Sequence, residues 1–160
     1  MDAISRESGI SKGGVTHQFK TKEAVLKALL EHQIEYFEKH FRDYLTTLDS
    51  TQPEAYLSAQ IATMHEAVSK QNSVTFAILG ALAEAPGLLS IARENEARTI
   101  EQIKADAADP DLAMLRWTAA MGLTLTSLFG LCPFSGEERE RLFDRLLDNR
   151  QWTALSKVKK

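Results

Sequence analysis

The sequence has little cysteine, no secretory leader pattern, no strong excess of either charge and no long apolar run. Its single cysteine, Cys132, excludes an internal disulfide and fits a reducing compartment, so we expect a cytoplasmic protein. The N-terminus has no charged segment followed by an apolar run, which excludes a typical signal peptide. A net charge of −3 argues against indiscriminate nucleic-acid binding. The longest weakly polar stretch, Trp117–Phe134, contains three threonines and one serine, so it predicts a buried helix and no membrane span.

Patterns typical of catalysis and metal binding are also missing. His65-Glu66 begins the zinc-protease pattern HExxH, but position 69 is serine, so the second ligand is absent. None of the four histidines has a glutamate three residues before it, as a di-iron bundle requires. The sequence contains neither a P-loop nor a dinucleotide-binding fingerprint. We therefore expect no enzyme, no metal site and no cofactor.

Almost every segment repeats its apolar residues with helical period, and none alternates convincingly with period two, which predicts an all-α fold. Thr21 is a predicted N-cap, and Ser135-Gly-Glu-Glu138 matches a capping box. We expect a frayed tail over 151–160. The predicted helices are Lys22–Leu48, Pro53–Ser69, Val74–Ala85, Leu88–Ala108, Asp111–Leu131 and Gly136–Asn149.

Residues 1–30 differ in charge from the rest of the chain. They contain five basic and three acidic residues, a net of +2, whereas residues 31–160 contain 14 basic and 19 acidic ones. The sequence predicts a short helix over Asp2–Ser8, a tight turn at Gly9-Ile10 and a second short segment, Ser11–Phe19. Two short helices joined by a turn with glycine form the unit that places a helix in the DNA major groove. The sequence therefore predicts a partial helix-turn-helix DNA-binding domain over 1–30 and a helical body over 31–150.

The pattern Ile4-x4-Gly9-Ile10-Ser11-Lys12-Gly13-x-Val15-x3-Phe19-x2-Lys22-x3-Leu26 resembles the N-terminal helix-turn-helix of the TetR family of transcriptional regulators. The resemblance implies a helical ligand-binding and dimerisation domain after this unit. Two positions depart from the family pattern, since Thr16 replaces a usual aromatic and Gln18 a frequent histidine. The family also places a further helix before the one that starts here, so we expect the native protein to be longer at its N-terminus. The residues that the resemblance places against DNA are Arg6, Lys12, Gly14, Thr16, His17 and Lys22.

A ligand-binding body needs a cavity lined by apolar groups with a few polar anchors. Methionine and aromatic residues at helical spacing suit such a pocket, although the same pattern is typical of an ordinary core. His65 on an apolar face likewise fits either a ligand contact or a hydrogen-bonded core histidine. The predicted pocket residues are Met64, His65, Phe76, Leu79, Trp117, Met121 and Thr124.

Small residues at three- and four-residue spacing predict a helix face that another helix can approach closely. With the apolar stripe of the last helix, this face would form a four-helix interface between two copies, an arrangement that the resemblance also implies. The alternative is packing within one chain. The predicted interface residues are Ala119, Gly122, Thr126, Gly130, Leu142, Phe143 and Leu146.

Together these observations predict a ligand-responsive, dimeric DNA-binding regulator. We expect a repressor that an unidentified small-molecule inducer releases from a palindromic operator on double-stranded DNA. The alternative is a helical small-molecule-binding or interaction module with a vestigial DNA-binding head.

Overall fold

A computed structural model describes residues 21–49, 51–70 and 89–156. Within these ranges the chain forms helices and no strand, which confirms the predicted all-α class. The predicted helix over Val74–Ala85 lies outside the described residues. The helices are α1 (Lys22–Thr47), α2 (Ala55–Ser69), α3 (Leu89–Asp106), α4 (Pro110–Leu128), α5 (Gly136–Leu147) and α6 (Asn149–Ser156).

The first helix, α1, is long and uninterrupted. The Thr21 hydroxyl accepts a hydrogen bond from the Ala24 amide at 3.0 Å, which confirms the predicted N-cap. None of the 26 residues of α1 is proline or glycine, so nothing breaks its hydrogen-bond ladder before Thr47. Val25 and Leu30 of α1 are buried.

The second helix, α2, is the centre of the bundle and contacts α1, α3, α4 and α5. Alanine, serine and threonine at many of its positions let neighbouring helices approach from several sides. It begins at Ala55, two residues after the predicted start, because Glu54 takes up a left-handed backbone with φ of 54°. The core cluster consists of Leu57, Ile61, Val68, Ile103, Ala113, Trp117, Ala120, Phe143 and Leu146.

Both ends of α4 follow from local hydrogen bonding. Asp109 accepts from the Leu112 amide at 3.1 Å, and Pro110 occupies the first helical position, where no amide donor is needed. The helix stops at Leu128, three residues before the predicted end. Gly130 has a φ of 67°, and the Leu131 amide donates to the Thr126 carbonyl at 2.8 Å. This is the Schellman arrangement, which closes a helix with a left-handed glycine.

The capping box of α5 is confirmed. The Ser135 hydroxyl accepts from the Glu138 amide at 3.2 Å, and the Glu138 carboxylate accepts from the Ser135 amide at 2.7 Å. The prediction of a frayed tail is wrong as far as Ser156, because α6 forms there. Its Trp152 indole donates to the Arg145 carbonyl at 2.9 Å, which ties α6 to α5.

Candidate functional site

A cleft with a volume of about 390 Å³ lies between α1, α2 and α3. This size falls within the range of small-molecule sites in proteins. Three helices contribute side chains to it, and α1 contributes half of them. The lining residues are Ile34, Phe37, Glu38, Phe41, Arg42, Tyr56, Gln60, Thr63, Asn95 and Thr99.

The cleft combines aromatic walls with neutral polar groups. The rings of Phe41 and Tyr56 meet edge to face with their centroids 5.0 Å apart. Thr63 and Thr99 are buried, and the Thr63 hydroxyl donates to the Ala59 carbonyl at 2.8 Å. These groups could hold a ring and fix its orientation by hydrogen bonds.

A polar network next to the cleft joins α1 to the end of α2. The Tyr36 hydroxyl donates to the Glu66 carboxylate at 2.8 Å, and the Lys70 ammonium lies 2.8 Å from the same carboxylate. Lys70 also donates to the Tyr36 oxygen at 2.5 Å. The bond from Lys70, followed in strength by that from Tyr36, lowers the pKa of Glu66 from its ordinary value of 4.5, while burial opposes the shift.

We expect acid to weaken the contact between α1 and α2. Because the folded pKa of Glu66 is lowered, its contribution to stability is fully present above about pH 4.5 and is lost as the pH falls through the lowered value. Tyr36→Phe should remove both hydrogen bonds of this hydroxyl, the one donated to Glu66 and the one accepted from Lys70, and cost about 2 kcal/mol at neutral pH. Urea unfolding from pH 7 to pH 3 measures both effects. A loss that is the same at pH 7 and pH 3 would contradict this account, because the Tyr36 bond is made to the ionised carboxylate.

A second concave surface, which we call the α4–α5 groove, has a volume of about 530 Å³ and an almost entirely apolar lining. Helix α4 supplies its small residues, and the loop after α4 supplies Pro133 and Phe134. The lining residues are Ala119, Gly122, Leu123, Thr126, Pro133, Phe134, Leu142, Arg145, Leu146 and Trp152.

The surface around the α4–α5 groove is apolar and exposed. No residue from 117 to 134 is Asp, Glu, Lys or Arg. Leu115 is 67% exposed and Leu131 74% exposed, and Leu125, Phe129 and Phe134 also reach the surface. A soluble monomer rarely leaves a contiguous apolar patch of this kind uncovered, so the patch is typical of an interaction site.

The described body is tied together by Arg116, whose side chain is 0% exposed. Its guanidinium donates to the Glu54 carboxylate at 3.0 Å, to the Asn149 side-chain oxygen at 2.5 Å and to the Leu146 carbonyl. Burial lowers the pKa of Arg116, and the charge of Glu54 opposes that shift. Sequence reasoning missed this cluster, although Arg116 is the only charged residue between Asp111 and Glu137.

The predicted DNA contacts are mostly beyond the part of the chain that the structure describes. Lys22 is the first residue of α1, where free backbone amides favour an anion such as phosphate. Those outside the described residues are Arg6, Lys12, Gly14, Thr16 and His17.

The structure describes five of the seven predicted pocket residues. Phe76 and Leu79 lie outside the described ranges, and none of the other five lines the cleft. Met64 and Met121 pack against the core cluster, and Trp117 belongs to it. His65 Nε2 lies 2.7 Å from the Glu140 carboxylate, and its ring stacks on Phe143 with centroids 4.7 Å apart.

Thr124 is the fifth described member of the predicted pocket. Its hydroxyl is buried and donates to the Ala120 carbonyl at 2.8 Å within α4. The described members of the predicted pocket therefore act in this structure as core and inter-helix contacts, because helical spacing cannot distinguish a side chain in a cavity from one in a filled interior.

The predicted interface residues differ in exposure, and Leu146 is both buried and part of the groove lining. Ala119 and Gly122 are exposed, and they line the groove together with Thr126, Leu142 and Leu146. Phe143 and Leu146 are buried in the chain's own core, so we assign them to folding of the single chain. Gly130 does not line the groove, since its positive φ serves to end α4.

The chain was compared with protein families, curated proteins and solved structures. Residues 54–149 match the family described as tetracyclin repressor-like, C-terminal domain, and these residues cover more than half of the chain. The chain belongs to the TetR family. Residues 1–29 match the family of bacterial regulatory proteins, tetR family, which confirms the resemblance found in the helix-turn-helix pattern. No curated protein and no solved structure matches the chain.

As a TetR-family protein, the chain is a DNA-binding transcriptional regulator with an N-terminal helix-turn-helix and a helical C-terminal domain. No helix among the described residues is long and apolar enough to cross a membrane. The same residues contain no group of three or more histidine, cysteine or acidic side chains placed to hold a metal ion.

Proposed function

We propose that this TetR-family regulator is a cytoplasmic, dimeric repressor that a small molecule releases from a palindromic operator. The observation that carries the proposal is the exposed and mostly apolar surface of the α4–α5 groove. Two copies that meet through this surface would bury it and present two DNA-binding units to the two halves of a palindrome.

A second copy of the chain suits the groove better than an unrelated partner. Ala119 and Gly122 have little or no side chain, so the backbone of α4 is accessible at this surface. No other atom lies within 4 Å of the place where a Cβ on Gly122 would be. An identical helix could therefore approach closely without moving the chain's own side chains. Helix α5 carries four acidic and three basic residues, so each copy presents both signs of charge to its twofold mate.

Helix α1 connects the two halves of the proposed mechanism. Its first residues belong to the DNA-binding region, and its middle lines the cleft and carries the Tyr36 contact to α2. A ligand that binds more tightly to one position of α1 than to another would shift the distance between the two DNA-binding units.

The test is a salt-dependent mobility shift on the DNA upstream of the protein's own gene. We expect specific binding that weakens steeply with salt, because Lys and Arg side chains displace counterions from the phosphates. Lys22→Ala should weaken binding on all sequences and reduce the salt slope by about 1. Lys104→Ala, an exposed lysine near the end of α3, is the matched control and should leave binding unchanged.

Failure of the full chain to bind any upstream fragment at low salt would overturn the proposal. Equal losses in the Lys22 and Lys104 variants would overturn the role given to the start of α1.

A further inference from the structure

We infer that the cleft between α1, α2 and α3 binds an uncharged aromatic compound that carries a hydrogen-bond donor, such as a phenol. The inference rests on the proposed function, because it gives the location and the chemical class of the inducer. The cleft is a different location from the pocket expected from the sequence, since none of the described members of that pocket lines it.

The aromatic part of the ligand follows from the walls of the cleft. Phe37 and Phe41 are one helical turn apart on α1, and Tyr56 faces them from α2. Aromatic rings stabilise each other by stacking or edge-to-face contact, so a planar ring is the shape that these walls accept best.

The donor on the ligand follows from Thr63, which is 9% exposed. Its hydroxyl proton is given to the Ala59 carbonyl at 2.8 Å, so its oxygen can only accept a further hydrogen bond. A hydroxyl or amino group on the ligand would meet that need. Asn95 and Thr99, one turn apart on α3, add further polar groups to the same cleft.

We infer an uncharged ligand from the way the two charged residues of the cleft pair with each other. Glu38 and Arg42 lie 3.4 Å apart and pair with each other, and both side chains are more than half exposed. They compensate one another near the solvent, so the described lining has no counter-ion left over for a buried ionic ligand, and burying an unpaired charge is costly.

The volume limits the size of the ligand. The cleft's 390 Å³ equals the share of about 13 water molecules in the liquid, which corresponds to roughly a dozen non-hydrogen atoms. A two-ring phenol is therefore a suitable probe.

The experiment is a calorimetric titration of the full chain, without DNA, with 2-naphthol. Naphthalene, which lacks the donor, and 2-naphthoate, which is charged, should each bind about tenfold more weakly or worse. Thr63→Val should weaken 2-naphthol binding about fivefold and leave naphthalene binding unchanged.

A pair of tryptophan variants tests the location. Asn95→Trp places a large side chain in the cleft and should abolish 2-naphthol binding, whereas Glu94→Trp, at the neighbouring exposed position outside the lining, should not. Both positions are exposed on α3, so neither change disturbs the core. Equal binding in these two variants, or no binding of 2-naphthol to the unmodified chain, would overturn the inference.

The outcome is separate from that of the DNA experiment. A chain that binds its upstream DNA but not 2-naphthol overturns the ligand site and leaves the regulator intact. A chain that binds 2-naphthol in the cleft but no DNA supports the site and overturns the proposed function.

Discussion

Replacing Arg116 with methionine should lower the free energy of unfolding by about 3–5 kcal/mol, the cost of removing one partner from a buried ion pair. The side chain is fully buried and donates to groups on three separate segments: Glu54 before α2, Leu146 at the end of α5 and Asn149 at the start of α6. Methionine fills a similar volume but donates nothing, so the Glu54 carboxylate would lose its cation in a site that is only 16% exposed.

Urea unfolding followed by circular dichroism measures this loss. Arg150→Met is the matched control, because Arg150 is 97% exposed and its ion pair with Asp148 at 3.6 Å should contribute less than 1 kcal/mol. Adding Glu54→Gln to Arg116→Met should recover part of the loss, since the unpaired charge is removed. Similar stabilities for the Arg116 and Arg150 variants would show that the Arg116 network does not stabilise the fold.

Ala119→Arg should convert the proposed dimer into a monomer and weaken binding to the operator by about 10²- to 10⁴-fold. The factor is the effective concentration that a linked second DNA-binding unit provides, and it is lost when the two copies separate. Ala119 is exposed and lines the α4–α5 groove, so a charged side chain there would be forced into the proposed apolar contact. Sedimentation and fluorescence anisotropy on upstream DNA measure the two effects.

Ala105→Arg provides the control, because Ala105 is an exposed alanine near the end of α3 and away from the groove. It should leave both the mass and the DNA affinity unchanged. A dimer that survives Ala119→Arg would place the contact between copies on another surface.

Local chemistry made several elements predictable. The Thr21 cap and the capping box at Ser135 each depend on residues within one turn, so sequence spacing was enough to locate the starts of α1 and α5. The small residues of α4 were also recognisable, because glycine and alanine at helical spacing allow another helix to approach closely. Their position on the surface could only come from knowing which side of α4 faces α2.

The remaining features depend on residues that are far apart in the chain. From the sequence, Trp117 and Met64 suit a pocket or a core. The structure places Trp117 in the core cluster and Met64 against it. The cleft needs Phe41, Tyr56 and Asn95 from three helices, and no local pattern connects them. The sequence predicted Phe143 as an interface residue because it lies in an apolar stripe of α5. In the structure Phe143 is buried, and α5 packs against α2 of the same chain.

Because α1 is unbroken, a small tilt of the helix at the cleft produces a larger displacement at its first turn. From Phe41 to Lys22 the helix covers 19 residues, about 29 Å at 1.5 Å per residue, so a tilt of about 5° at the cleft would move its first turn by about 2.5 Å. In a twofold pair the two displacements add when both tilts point outward, and the sum approaches the rise of one and a half base pairs along the duplex. A tilt of this size would therefore change the spacing of the two proposed DNA-binding units by more than one base-pair step.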